Sequence, residues 1–233
     1  PDRAKNFTEA MRICFVVIKN LSKLIKYKGL STSVGYEGGF APMISSNNQA
    51  LDLIIEAIKK AGYEPGVQIA IAQDPAASEF FEDGKYQLKT ENKALTSEEM
   101  VELYTEWIEK YPIVSIEDGL DEDDWAGFIA QTTKMGDKIQ IVGDDLLVTN
   151  VERLQKAIDE KACNSILIKL NQIGTVSETI EAIKLAHSNG MTAIVSHRSG
   201  ETEDSYLADF VVGSGAGQIK TGSLSRSDRV AKY

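Results

Sequence analysis

Five short apolar runs begin at Ile113, Ile139, Ser165, Thr192 and Gln218, at intervals of 26, 26, 27 and 26 residues. The segments between them carry helix start signals. Thr96 followed by Glu99 is a capping box, and Asn150 stands as an N-cap before Val151-Glu152-Arg153. Strands that alternate with helices at so short a period pair in parallel through right-handed crossovers. An earlier apolar run, Val67–Ala72, adds a further strand, giving Val67–Ala72, Ile113–Ile116, Ile139–Val142, Ser165–Leu170, Thr192–Val195 and Gln218–Thr221. The fold class is therefore α/β, and two architectures accept the repeat: a (β/α)8 barrel or an open doubly wound sheet.

The first third of the chain has another rhythm. Cys14, Val17, Ile18, Leu21, Leu24 and Ile25 fall on one face of a long helix that stops at Lys26-Tyr27-Lys28-Gly29. A Gly- and Ser-rich loop, 31–48, precedes a second helix predicted over Gln49–Ala61. A hairpin is expected around Asp83-Gly84 within 79–93, and the ambiguous stretch Thr202–Val212 reads as helix. Nothing in the chain reads as a linker between independent domains; the expected division is 1–62, leading helices and loop, then 63–233, successive β/α units.

Composition narrows the function classes. With 25 Lys and Arg against 35 Asp and Glu, the net charge is −10. An acidic chain lacks the basic face that general nucleic-acid binding needs. Cys14 and Cys163 stand far apart with no CxxC or Cys/His cluster, which speaks against a disulfide scaffold or structural zinc and for a reducing compartment. No run approaches the roughly 20 apolar residues of a membrane helix, and no signal peptide opens the chain. It begins at Pro1 and stops at Tyr233 in what reads as a helix start, as expected of a piece of a longer protein.

The chemistry lies at the C-terminal ends of the strands, the edge where parallel α/β proteins bind ligands. Asp74, Glu117-Asp118, Asp144-Asp145, Lys169, Ser196-His197-Arg198-Ser199 and Lys220 each follow or close an apolar run. An acid there is often only the N-cap of the next helix, and a lone His is usually structural. Successive strands all doing the same favours a functional rim. Asp74, Glu117 and Asp144 are the natural trio for a hard divalent cation, since converging carboxylates repel one another without one. Lys169, near a metal and other cations, is a candidate base. Arg198, Ser199 and Lys220 would clamp a phosphate or carboxylate. Metal, lysine base and anion clamp together suit proton abstraction beside a carboxylate.

The stretches SVGYEGGFAP (33–42), DPAASEFFEDGKY (74–86), PIVSIEDGLDEDDW (112–125), IVGDDLLVTN (141–150), NSILIKLNQIGTVSET (164–179), SHRSGETED (196–204) and GQIKTGSLSRSDRVAKY (217–233) closely resemble the enolase family, in order and over nearly the whole chain. The resemblance implies a (β/α)8 TIM-type barrel with about six of its eight strands in this chain. It also implies a carbon–oxygen lyase of glycolysis that dehydrates 2-phosphoglycerate reversibly to phosphoenolpyruvate, with Mg²⁺ as cofactor. A lysine base with Mg²⁺ is the general description of such sites. By resemblance Lys169 is the general base and Glu37, in the EGG motif, the general acid. Asp74, Glu117 and Asp144 are the Mg²⁺ ligands, with Glu117 and Asp144 also near substrate. Ser196, His197, Arg198, Ser199 and Lys220 contact substrate, Arg198 and Ser199 at the phosphate. Pattern alone would leave Glu37 a solvated loop acid.

The resemblance further implies a cytoplasmic protein, with a secondary cell-surface location as in other enolases, and a homodimer or higher oligomer. It implies an N-terminal α+β domain and two opening strands ahead of this chain, with a mobile loop that binds a second Mg²⁺ and assisting His and Glu residues. Little activity is expected of the 233 residues alone, and an idle binding or scaffold module is the alternative. Two departures stand out. Tyr36 replaces the usual Asp before Glu37, and Pro75 follows Asp74, where proline fixes φ and removes an N–H.

Overall fold

The computed structural model describes residues 1–233. The chain divides into two units. A helical unit comprises Pro1–Ile71, Arg198–Ser205 and Thr221–Tyr233, and a sheet unit comprises Ala72–His197 and Tyr206–Lys220.

In the helical unit, α1 (Phe7–Tyr27) is capped by the Asn6 side chain, which accepts the Glu9 N–H. Helix α2 (Asn47–Lys60) is capped in the same way by Ser46 through the Gln49 N–H. Ile13, Leu24 and Ile25 of α1 and Leu51, Leu53, Ala57 and Ile58 of α2 are buried. Full burial of one such aliphatic side chain is worth about 1.5–3 kcal/mol. Ile13 rather than Cys14 is the deepest residue of the early turns; Cys14, Val17, Ile18 and Leu21 are half-buried.

The first strand of the main sheet, β1 (Ile71–Gln73), is shorter and later than the predicted Val67–Ala72. The reason is local. Gly66 takes φ +80°, and the N–H groups of Val67 and Gln68 turn back to the Glu64 carbonyl, so the run is a turn before it is a strand. Strands β2 (Phe81–Glu82), β3 (Lys85–Leu88) and β4 (Lys93–Leu95) form the expected antiparallel excursion around Asp83-Gly84, extended by a third strand. Then come α3 (Ser97–Lys110), β5 (Ile113–Glu117), α4 (Trp125–Met135), β6 (Gln140–Gly143), α5 (Val151–Glu160), β7 (Ser165–Ile168), α6 (Leu170–Ile173), α7 (Val176–Ser188), β8 (Thr192–Ser196), α8 (Tyr206–Ser214) and β9 (Gly217–Lys220). The capping box at Thr96 and the Asn150 cap are both formed.

The main sheet has six strands in the order β1-β5-β6-β7-β8-β9, parallel from β5 to β9. All four residues of β7, Ser165 to Ile168, are buried. Burial on both faces is what a parallel sheet under helices demands, and it explains the unbroken apolar run. No helix is long and apolar enough to cross a membrane.

Candidate active site

Parallel register brings the strand ends of the sheet unit to one edge. Ser196 on β8 lies opposite Lys220 on β9, Ile168 on β7 opposite Val195, and Glu117 on β5 opposite Val142. Asp74, Asp144 and Lys169 each follow directly on their strand. There they meet as two ion-pair groups. Lys169 Nζ lies 2.5 Å from Asp144 Oδ2. Lys220 Nζ is bonded to the Asp74 carboxylate and lies 2.7 Å from Glu117 Oε1. The sequence grouped Lys220 with Arg198 and Ser199; in the structure its ammonium joins two carboxylates.

Glu117 and Asp144 are buried, Lys169 and Lys220 half-buried, and Asp74 exposed. Burial and then the Asp74 charge push Glu117 up to about 8 against the pull of Lys220. Asp144 is raised by burial, partly offset by Lys169. Burial alone would lower Lys220, but Glu117 and Asp74 outweigh it and hold the ammonium above its ordinary range.

Two residues that sequence reasoning gave no role hold this edge in place. Asp118 takes φ +41° and turns its carboxylate onto the next loop, accepting the N–H of Asp144 and of Asp145 at 2.8 Å each. Burial and the Asp144 charge raise it to about 7 despite those two bonds. Asp118, Asp144 and Asp145 place carboxylate oxygens within 4.8 Å of one another, an arrangement able to hold a metal ion. Both Asp118 oxygens already accept backbone bonds, so we read Asp118 as the support of that loop rather than a ligand. Thr149, fully buried at φ +55°, accepts the Lys169 N–H at 2.9 Å and bonds Gln172 at 3.0 Å. One loop, 144–149, therefore carries Asp144 and anchors Lys169.

The donor set fits a hard cation. Asp144 Oδ1 is buried with no hydrogen-bond partner, and such an atom is costly unless something positive meets it. Asp74 and Glu117 already share one positive charge. Pro75 has not removed Asp74 from the edge: Asp74 Oδ1 accepts the Ala76 N–H at 3.1 Å while its other oxygen faces Lys220. Ser196 and His197 are buried; the Ser196 hydroxyl donates to the His197 carbonyl, and the His197 N–H to the Lys220 carbonyl.

The helical unit holds the remaining predicted residues. Three successive carbonyls of the Glu37 loop are bonded from the C-terminal segment. Arg229 Nη2 donates to Tyr36 at 3.0 Å, the Ser223 N–H to Glu37 at 2.8 Å, and the Ser225 hydroxyl to Gly38 at 2.8 Å. Arg229 also donates to the carbonyls of Arg198 and Ser199, at 2.7 Å each. Charge-assisted hydrogen bonds of this kind contribute about 1.5–3 kcal/mol each. The Tyr36 side chain is 78% exposed, so the residue that replaces the usual Asp points into solvent.

Comparison with known proteins shows the family. The whole chain, residues 1–233, matches the family described as "Enolase, C-terminal TIM barrel domain". Enolase 1 of Methylococcus capsulatus is 60% identical over 234 residues, covering 100% of this chain and 56% of the relative. The enolase of Natranaerobius thermophilus is 58% identical over 233 residues, covering 100% and 55%. The chain spans about half the length of the curated relatives it matches.

Proposed function

Because the chain belongs to the enolase family, as its C-terminal TIM barrel domain, we propose that the protein is a hydro-lyase converting 2-phosphoglycerate reversibly to phosphoenolpyruvate and water. The observation that carries this reading is the pairing at the strand ends, Lys169 with Asp144 and Lys220 with Asp74 and Glu117. It offers a lysine amine, three carboxylates for a cation, two of them buried, and a second lysine at one edge.

In the proposed reaction Lys169 Nζ takes the C2 proton. The electron pair left at C2 forms the C2–C3 double bond as the C3–O bond breaks, and Glu37 delivers the proton with which the hydroxyl departs as water. Arg198 and Ser199 hold the phosphate; Ser196, His197 and Lys220 contact the rest of the substrate. Asp74, Glu117 and Asp144 would hold Mg²⁺. When bound, Mg²⁺ supplies positive charge where the substrate carboxylate gains negative charge. A general acid or base typically contributes ~10²–10⁴-fold, so neither Lys169 nor Glu37 is replaceable by solvent.

The same reading makes residues 1–233 the catalytic barrel portion of a glycolytic, cytoplasmic enzyme that works as a dimer or higher oligomer. The names of the relatives favour the lyase over a scaffold module. The test is formation of phosphoenolpyruvate from 2-phosphoglycerate by the intact protein, with and without Mg²⁺. Turnover that Mg²⁺ restores after chelation is expected; no turnover at any Mg²⁺ concentration would overturn the assignment.

A further inference from the structure

We infer that Arg229 is a positioning residue that sets the Glu37 loop and the Arg198–Ser199 turn in fixed relation to each other. The inference rests on the reading of Glu37 as acid and of Arg198 and Ser199 as phosphate ligands.

Four observations carry it. The Arg229 side chain is 0% exposed, on a short helix, Ser227–Val230, near the end of the chain. An arginine is almost never so buried unless its fork is used. Its two terminal nitrogens donate to three carbonyls, those of Tyr36, Arg198 and Ser199. Asp228 lies 3.4 Å from its Nε as a counter-charge. None of the three carbonyls is substrate-facing chemistry; all are backbone atoms of the two loops that carry it.

The surroundings are shaped to the guanidinium stem. Gly222 takes φ +89°, and a Cβ there would come within 2.8 Å of the Arg229 stem and 2.9 Å of the Glu37 carbonyl. Gly38 takes φ +80°, and a Cβ there would meet the Ser225 carbonyl at 2.6 Å. The Glu37 loop and the C-terminal segment thus approach at backbone distance, with Arg229 closing the gap to residues 198–199. A flat, five-donor fork can reach carbonyls on two loops at once; a lysine ammonium is a point charge and cannot hold both with the same geometry.

The chemistry separates positioning from mere folding. Displacing Glu37 slows loss of the C3 hydroxyl but leaves C2 proton removal by Lys169 intact. Displacing Arg198 and Ser199 weakens phosphate binding. In the intact protein, Arg229→Lys should therefore raise the KM for 2-phosphoglycerate and lower turnover by about 10–100-fold, the scale of a misplacement near 1 Å. The ratio of C2 hydrogen–deuterium exchange to dehydration should rise. Ser225→Ala removes only the bond to Gly38, so it should raise that ratio with KM unchanged.

Three results would overturn the inference. Arg229→Lys could leave KM and the exchange ratio unchanged. Activity in either variant could fall only in proportion to the folded fraction measured by circular dichroism. Ser225→Ala, which removes a single hydroxyl and folds independently of the Arg229 result, could leave the ratio untouched. If the unaltered protein shows neither exchange nor dehydration, the enolase reading fails first and takes this inference with it.

Discussion

On the sheet unit, Glu117, Asp144, Lys169, Ser196 and Lys220 close or follow strands whose ladder register dictates where they stand. On the helical unit, Glu37, Arg198 and Ser199 sit on loops with no ladder, tied by side chains from the C-terminal segment. The first arrangement is redundant, since the strands from β5 to β9 are tied to one another by ladder hydrogen bonds. The second hangs on few bonds, several of them from one guanidinium. Charged groups on a sheet edge are therefore placed by repetition, and those on loops by individual polar anchors. A single substitution should disturb the loops' geometry more readily than the sheet's.

The largest effect should come where register does the placing but the side chain does the chemistry. Lys169→Ala in the intact protein should abolish C2 proton exchange and cut turnover by about 10²–10⁴-fold, with the sheet unit still folded and Mg²⁺ still bound. Retained exchange would move the base elsewhere.

Asp118→Asn tests how far register suffices. It leaves β5 and β6 in place but weakens the carboxylate cradle under the N–H groups of Asp144 and Asp145. Mg²⁺ affinity by calorimetry should fall roughly 10–100-fold, as for other supports of metal ligands. An unchanged affinity would mean that the strand alone aims Asp144.

A third prediction concerns charge on the sheet edge. Burial raises Glu117 to about 8, Asp118 to about 7, and Asp144 in the same direction. The folded chain therefore holds more protons than the unfolded chain from the ordinary carboxylate range up to about pH 8. Where the folded state binds more protons, stability falls as pH rises. The stabilising contribution is full below the unfolded carboxylate values and is lost by about pH 8. Mg²⁺ competes with those protons, so its addition after chelation should raise Tm by more at pH 8 than at pH 5. Equal gains would show that these carboxylates do not meet the cation.

The smallest effect belongs to the loop position that departs from the family pattern. Tyr36 is anchored by its carbonyl while its ring lies in solvent. Tyr36→Asp should change stability by no more than about 0.5 kcal/mol. A rise in turnover would show that the usual Asp acts on Glu37; equal turnover would show that it is dispensable here.

Much of the fold could be read from spacing because parallel strands and helices write their period into the apolar pattern. Ile113, Ile139, Ser165, Thr192 and Gln218 mark strands to within a residue. The same period pointed to Glu117, Asp144, Lys169 and Lys220, since a strand end is a position as well as a residue, and an earlier apolar run pointed to Asp74. Glu37 came only from resemblance, for a loop acid has no period. Asp118 was hidden by its neighbour Glu117, and only the backbone's left-handed turn sends its carboxylate to Asp144 and Asp145. Arg229 left no trace in the pattern, because its partners are carbonyls, and every residue has one.

The order of apolar runs, the caps and the ionisable residues at strand ends were settled by the sequence alone, because they follow from local sterics and the burial of side chains at a fixed period. Which lysine meets which carboxylate, and that one buried arginine joins residues 36, 198 and 199, were decided only in the tertiary structure. Such pairings depend on distances between segments far apart in the chain, which no local rule contains.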